Sequence, residues 1–158
     1  MSLSIGSASK SAFLKERSKA IVSVYLILKK EEKVLLSLRK NTGYEDGKYG
    51  LVSGHVEEGE SAKSAMIREA YEEIGVKIKT QSLEFVHLMH RRTERNGADI
   101  FFLCGDYEGT IENKEPGKCG ELGFFSISAL PLSSIDYIRY VLLAFERGES
   151  YSETGWEK

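Results

Sequence analysis

The segment from Gly54 to Val76, GHVEEGESAKSAMIREAYEEIGV, constrains this chain more than any other. From Ser61 to Ile74 it contains no Pro or Gly, it includes Ala62, Ala65 and Ala70, and it stops at Gly75, the residue type that most often sits just past a helix end. The pattern predicts a helix of about three and a half turns. Ala62, Met66, Ala70 and Ile74 recur at helical spacing as one apolar stripe, and Glu69, Glu72 and Glu73 fall at i, i+3 and i+4 on an adjoining arc. Three carboxylates on one patch repel one another, with only Arg68 nearby to relieve them. A hard cation would turn that cost into a gain, and Mg²⁺ favours carboxylate oxygens with positions left open for water and phosphate. A solvated acidic face is the commonest reading of such a run by itself.

The spacing goes further than the helix. Gly54 is followed after five residues by Glu60, after seven more by Arg68-Glu69-Ala70, then after one residue by Glu72-Glu73 and after one more by Gly75-Val76. Every defined position of the Nudix box is filled, so the chain resembles the Nudix hydrolases, Mg²⁺-dependent enzymes that split diphosphate linkages, mostly in nucleotides. The resemblance implies an α/β fold, a Nudix-type α/β/α sandwich with a mixed β-sheet. It implies Glu69, Glu72 and Glu73 as metal ligands, with the Gly54 region adding a backbone carbonyl. Mg²⁺ is the expected cofactor, with Mn²⁺ as a substitute. Arg68 resembles the residue that orients a helix carboxylate by a charge-assisted pair. Glu60 and Gly54 resemble the positions that hold the loop against the helix, with a metal contact the lesser alternative for Glu60, and Gly75 closes the motif.

Many members of the family add a carboxylate from a later loop, and Glu115 in NKEPGK is the first candidate here, with Glu121 second. Either Glu69 or a loop glutamate could act as general base. A bound Mg²⁺ would engage the lone pairs of Glu69 and lower its pKa, which favours Glu115, carried on a glycine-flanked loop expected to close over substrate.

Nothing in the helix selects the substrate. Arg39, Tyr44, Lys48 and Tyr49 surround a polar, Gly-containing loop and could stack on a base or meet a phosphate. His87 and Arg91 lie further on, near the expected cleft. Family subclasses are marked after the box by a Pro for ADP-ribose enzymes or a Tyr for dinucleoside polyphosphate enzymes, and FVHLMHRRT carries neither. The coenzyme A signature is incomplete, because Val52-Ser53 stands where Pro-Gly is usual. By elimination the expected reaction is that of a MutT-like pyrophosphohydrolase, taking a nucleoside triphosphate, modified or not, to NMP and pyrophosphate. The alternatives are an NDP-X hydrolase acting on ADP-ribose, a nucleotide sugar or a dinucleoside polyphosphate and, in another class, a non-catalytic nucleotide-binding or sensing module.

The rest of the chain narrows the context. With 158 residues and 41% apolar content it is long enough for one sizeable core, and a single domain over residues 16–158 is expected behind a small, polar and unstructured stretch over 1–15. A net charge of −2 leaves no electrostatic footprint for nucleic acid. No stretch has the length and apolarity of a membrane helix. Cys104 and Cys119 lack a CxxC partner or a paired His, which suggests a reducing cytoplasm and packing roles. The expected partner is a small nucleotide; a homodimer stays open. Strands are predicted at 20–28, 33–39, 76–78, 82–92, 99–106 and 122–127, with an Asn96-Gly97 hairpin signal and a last helix at 134–147.

Overall fold

The computed structural model describes residues 17–157. In chain order the strands are β1 (Ile21–Lys30), β2 (Lys33–Arg39), β3 (Tyr49–Gly50), β4 (Val52–His55), β5 (Glu84–Arg92), β6 (Asn96–Cys104), β7 (Cys119–Ser126) and β8 (Tyr151–Thr154). Helix α1 (Ala62–Ile74) follows β4, and α2 (Asp136–Glu146) precedes β8. The stretch over 1–15 expected to be unstructured lies outside the described residues. Among those described, no helix is long and apolar enough to cross a membrane.

β1 organises the sheet. One edge pairs in parallel with β6 from Ile21↔Gly97 to Leu28↔Cys104. The other edge is divided: Ser23 to Leu26 pair antiparallel with β4, and Lys29 and Lys30 pair with β2. The sheet therefore forks along β1, with Arg39 at the end of β2 on one side of the fork and Ser53 of β4 on the other. A central strand paired on both edges and covered on both faces must be apolar throughout, which is why AIVSVYLIL does not alternate.

Alternate residues of β1 feed two cores. Val24, Leu26 and Leu28 pack with Phe102 and with Ala65, Met66, Ala70 and Ile74 of α1. Tyr25 and Ile27 pack with Met89, Phe101 and Ile138, Val141 and Leu142 of α2. One helix covers each face, giving the expected α/β/α sandwich with a mixed sheet. Leu26 and Met66 are almost wholly buried in the first core, and truncating either to Ala would cost roughly 2–5 kcal/mol.

Some boundaries differ from the sequence expectation, each for a tertiary reason. The run Tyr49 to Val52 is two strands: β3 pairs with β2 and β4 with β1, because the chain crosses the fork at Leu51. Val76 and Ile78 are buried, yet this stretch, expected as a strand, makes only one bridge, Lys77↔Glu108. Asn96 and Gly97 lie in β6, and the hairpin turns at Thr93–Arg95 instead. β8, four residues with little apolar content, was not legible; it is held in parallel beside β5. His87, fully buried, secures it, with Nε2 2.7 Å from the Ser152 hydroxyl and Nδ1 2.9 Å from the Glu149 carbonyl.

Candidate active site

The helix of the motif is closed at both ends by its own residues. Ser61 caps α1 by accepting from the Ser64 amide at 3.1 Å. Gly75 ends it in the left-handed conformation at φ 75°, its amide donating to the Tyr71 carbonyl. Arg68 ties the preceding loop to the helix: its Nε and Nη2 donate to the two oxygens of Glu60 at 3.1 and 2.7 Å, and Nη2 also donates to the His55 carbonyl at 3.2 Å. Both Glu60 oxygens are therefore occupied in closing the loop, and Glu60 N–H bonds the Glu57 carbonyl in the same turn. The guanidinium holds the Glu60 carboxyl below its ordinary range.

Gly54 explains its own identity. A Cβ there would collide with the carboxyl group of Glu69, so glycine lets the β4 backbone and the helix carboxylate come into contact. One residue earlier, the Ser53 amide donates to Glu73 Oε2 at 3.1 Å. Arg68 Nη1 reaches Glu69 Oε1 at 2.8 Å and Glu72 Oε2 at 3.3 Å. The strand, the loop and the helix thus meet at the carboxylates.

The loop after β6 joins them. Amides of Glu112 and Lys114 donate to the carbonyls of Ile74 and Glu73, satisfying acceptors that the helix end leaves open. Glu115 N–H bonds Asn113 Oδ1, and its carbonyl accepts from Lys118 and Cys119. The loop expected to close over substrate is already fastened to α1. Its Glu115 side chain lines the same cavity of about 470 Å³ as Glu57, Arg68, Glu69, Glu72, Glu73, Arg39 and Lys118. The Glu115 carboxylate makes no hydrogen bond or ion pair to another described residue, unlike Glu69 and Glu73.

Electrostatics distinguish this cavity. Burial pushes the Glu73 carboxyl well above the usual range, and the charges of Glu69 and Glu115 push the same way. Burial also raises Glu69, partly offset by Arg68, with Glu72 and Glu115 adding to the rise. Among the described residues no group of three or more His, Cys, Asp or Glu side chains stands arranged as a metal cage. Arg68 Nη1 engages both Glu69 and Glu72. The donor set nonetheless suits a hard divalent cation: oxygen donors only, partly desolvated, with more negative charge than one guanidinium balances.

A second cavity of about 350 Å³ shares Arg39, Ser53 and no carboxylate with the first. Tyr44 and Arg91, both expected near substrate, line it, together with Ser23, Tyr25 and Asp99. Arg39 is set by its own loop: Nε donates to the Tyr44 carbonyl at 2.8 Å and Nη2 to Thr42 Oγ1 at 3.1 Å. Four candidates are not brought to either cavity. Lys48 pairs with Glu45 at 2.8 Å in the loop. Tyr49 packs edge-on to Phe125 and donates its hydroxyl to Glu121, which removes Glu121 from the carboxylate cluster as well. His87 is the clamp on β8. Asp99 was missed, although an acid inside the apolar strand ADIFFLC was a signal that it had a buried partner.

The sequence model of the NUDIX domain matches residues 17–144. The chain belongs to the Nudix family. It is 32% identical over 121 residues to the ADP-ribose pyrophosphatase of Methanocaldococcus jannaschii, covering 76% of this chain and 70% of that protein. It is 29% identical over 102 residues to the NAD-capped RNA hydrolase NudC of Chromobacterium violaceum, 61% of this chain but only 35% of the relative. Among solved structures, the MutT NUDIX hydrolase of Burkholderia pseudomallei superposes with a TM-score of 0.73 at 22% identity, over 80% of this chain and 98% of that one. The E. coli ORF135 protein does so at 0.71 and 26%, over 82% and 91%. This Nudix chain is a pyrophosphohydrolase by family, and enzymes of the family generally use divalent metal ions.

Proposed function

We propose that this Nudix enzyme hydrolyses the diphosphate linkage of a nucleoside triphosphate to NMP and pyrophosphate, with Mg²⁺ or Mn²⁺ held by Glu69, Glu72 and Glu73 and by the backbone beside Gly54. The observation that carries the reading is that the carboxylates Glu69, Glu72, Glu73 and Glu115 line one cavity together with Arg39 and Lys118. A divalent cation, when bound, supplies charge neutralisation for the phosphates and an acidified water. The chain's own residues do the rest. Arg39 and Lys118 attract and orient phosphate oxygens. Arg68 keeps the helix carboxylates aimed into the cavity and the loop closed behind them. Glu115, with its carboxylate unengaged, takes the proton of the attacking water; Glu69, held by Arg68 and close to Gly54, serves mainly as a ligand.

A second reading is favoured by the name of the Methanocaldococcus jannaschii relative: an NDP-X substrate such as ADP-ribose, cleaved to NMP and phospho-X. A non-catalytic nucleotide sensor is disfavoured because every carboxylate of the motif is present. The test is a panel of nucleoside triphosphates, ADP-ribose, nucleotide sugars and diadenosine polyphosphates with Mg²⁺, comparing kcat/KM and identifying products. NMP and pyrophosphate from triphosphates, abolished by EDTA, is the expected result. ADP-ribose preferred by tenfold or more overturns the triphosphate reading, and turnover undiminished in EDTA overturns the metal role.

A further inference from the structure

The cavity beside the carboxylate cleft has a different chemistry. Asp99 is the one acidic side chain among its lining residues, and it is almost wholly buried at 1% exposure. Its Oδ2 accepts from Arg91 Nε at 2.6 Å. Its Oδ1 receives no hydrogen bond from any described residue, so one acceptor oxygen of a buried carboxylate is left for whatever fills the cavity. A ligand that supplies N–H donors to that oxygen is rewarded.

Arg91 is fixed beside it. Its guanidinium lies 4.0 Å from the centre of the Tyr137 ring, and its Nη1 and Nη2 reach the hydroxyls of Tyr44 and Tyr25 at 3.3 and 3.5 Å. Those two contacts are long, so the terminal nitrogens retain capacity to donate to a carbonyl. The site thus presents a free carboxylate oxygen next to a guanidinium edge, under the half-exposed ring of Tyr44 and against Ile21. Arg39 and Ser53 line both cavities, so a group bound here is contiguous with phosphates bound over the carboxylates.

We propose that this cavity is a nucleobase subsite in which Asp99 and Arg91 together read the Watson–Crick edge of guanine. Guanine is the common base with two adjacent donors, N1–H and N2–H₂, for one carboxylate oxygen, and a neighbouring O6 acceptor for the guanidinium. Adenine and cytosine offer a single amino donor there, and uracil a single N3–H. Tyr44 supplies the stacking face, and a volume of about 350 Å³ is within the range of ligand cavities. The inference rests on the nucleotide reading of the cleft.

The experiment is calorimetric titration of the metal-free enzyme, in EDTA, with GMP, AMP, CMP, UMP and 1-methyl-GMP, so that hydrolysis plays no part. GMP is expected to bind at least tenfold more tightly than AMP, and 1-methyl-GMP, whose N1 can no longer donate, to fall to the AMP level. Asp99→Asn should erase the GMP preference while its thermal melt remains cooperative; if that variant does not fold, the methylated ligand decides on the unaltered enzyme. AMP equal to GMP, methylation without effect, or no saturation by any monophosphate at millimolar concentration overturns the proposal. Failure of the hydrolysis reading would look different: normal GMP preference with no metal-dependent turnover of any diphosphate.

Discussion

Two acid-bearing cavities meet at Arg39 and Ser53 and handle charge in opposite ways. Over α1, Arg68 pairs with Glu69 and Glu72 while itself committed to Glu60, and Glu73 and Glu115 stand in the same cavity without an ion pair to it. Under Tyr44, Asp99 and Arg91 form a one-to-one pair at 2.6 Å. The first leaves surplus negative charge in a partly desolvated space, which a multivalent cation would relieve. In the second the buried acid is matched by its own guanidinium, so the pair can present oriented donors and acceptors without demanding a further counter-ion. Their different pKa balances express this. Burial works against the charge of Arg91, but its hydrogen bond to Asp99 together with the electrostatic pull of Tyr137, Tyr25 and Asp99 outweighs that and holds it charged, whereas burial and like charges push Glu73 upward together.

Four measurements would break or sharpen the contrast. The largest effect is expected from Glu73→Gln: loss of a charged donor from the surplus side should lower kcat/KM with Mg²⁺ by roughly a thousandfold, since a bound metal is worth several kcal/mol in the transition state. Activity within tenfold of the unaltered enzyme would remove Glu73 from the ligand set. Next, Glu115→Gln should lower kcat by about a hundredfold or more while metal affinity stays nearly unchanged, and should flatten the acid limb of the pH profile. A weakened metal affinity with an unaltered profile would return the base role to Glu69.

Arg39→Ala, at the junction, should reduce kcat/KM by roughly ten- to a hundredfold through loss of charge-assisted bonds to phosphate. An effect confined to stability would make Arg39 only a brace for its loop. The smallest effect is on melting temperature. Because the folded-state pKa of Glu73 lies above its unfolded value, the stability associated with its neutral form is present below the ordinary carboxylate range and is lost as pH rises through the raised pKa. In EDTA, Glu73→Gln should therefore melt a few degrees higher than the unaltered enzyme at pH 8 and at the same temperature at pH 4, with added Mg²⁺ narrowing the gap at pH 8. Identical melts at both pH values would mean that Glu73 is not desolvated at a cost.

Much of this was readable from local pattern. The helix running from Ser61 to its stop at Gly75, the arc of Glu69, Glu72 and Glu73, and the continuous apolar β1 follow from spacing, because helical and strand periodicities are properties of consecutive residues. Partners chosen across the fold were not. Lys48 and Tyr49 have the residue types of a substrate pocket, yet Glu45 and Glu121 claim them. His87 resembled a cleft histidine and is a buried clamp on a strand whose four residues carry no apolar signal of their own. Asp99 is a lone charge in an apolar strand, and its use depends on Arg91, two residues off its partner Met89 in the β5–β6 register.

The sequence alone therefore determined the carboxylate helix, written in a short window where the backbone period decides which side chains are neighbours, and through the spacing of that motif the family and the fold class that the resemblance implies. Tertiary structure alone decided which face each acid meets. The fork in β1 places Arg39 and Ser53 between two cavities, the loop hydrogen bonds at the end of α1 deliver Glu115, and the pairing of β5 with β6 brings Arg91 to Asp99. Those neighbours are distant in sequence, and only the packing of the sheet between two helices determines whether a buried charge is paired, surplus or free to bind.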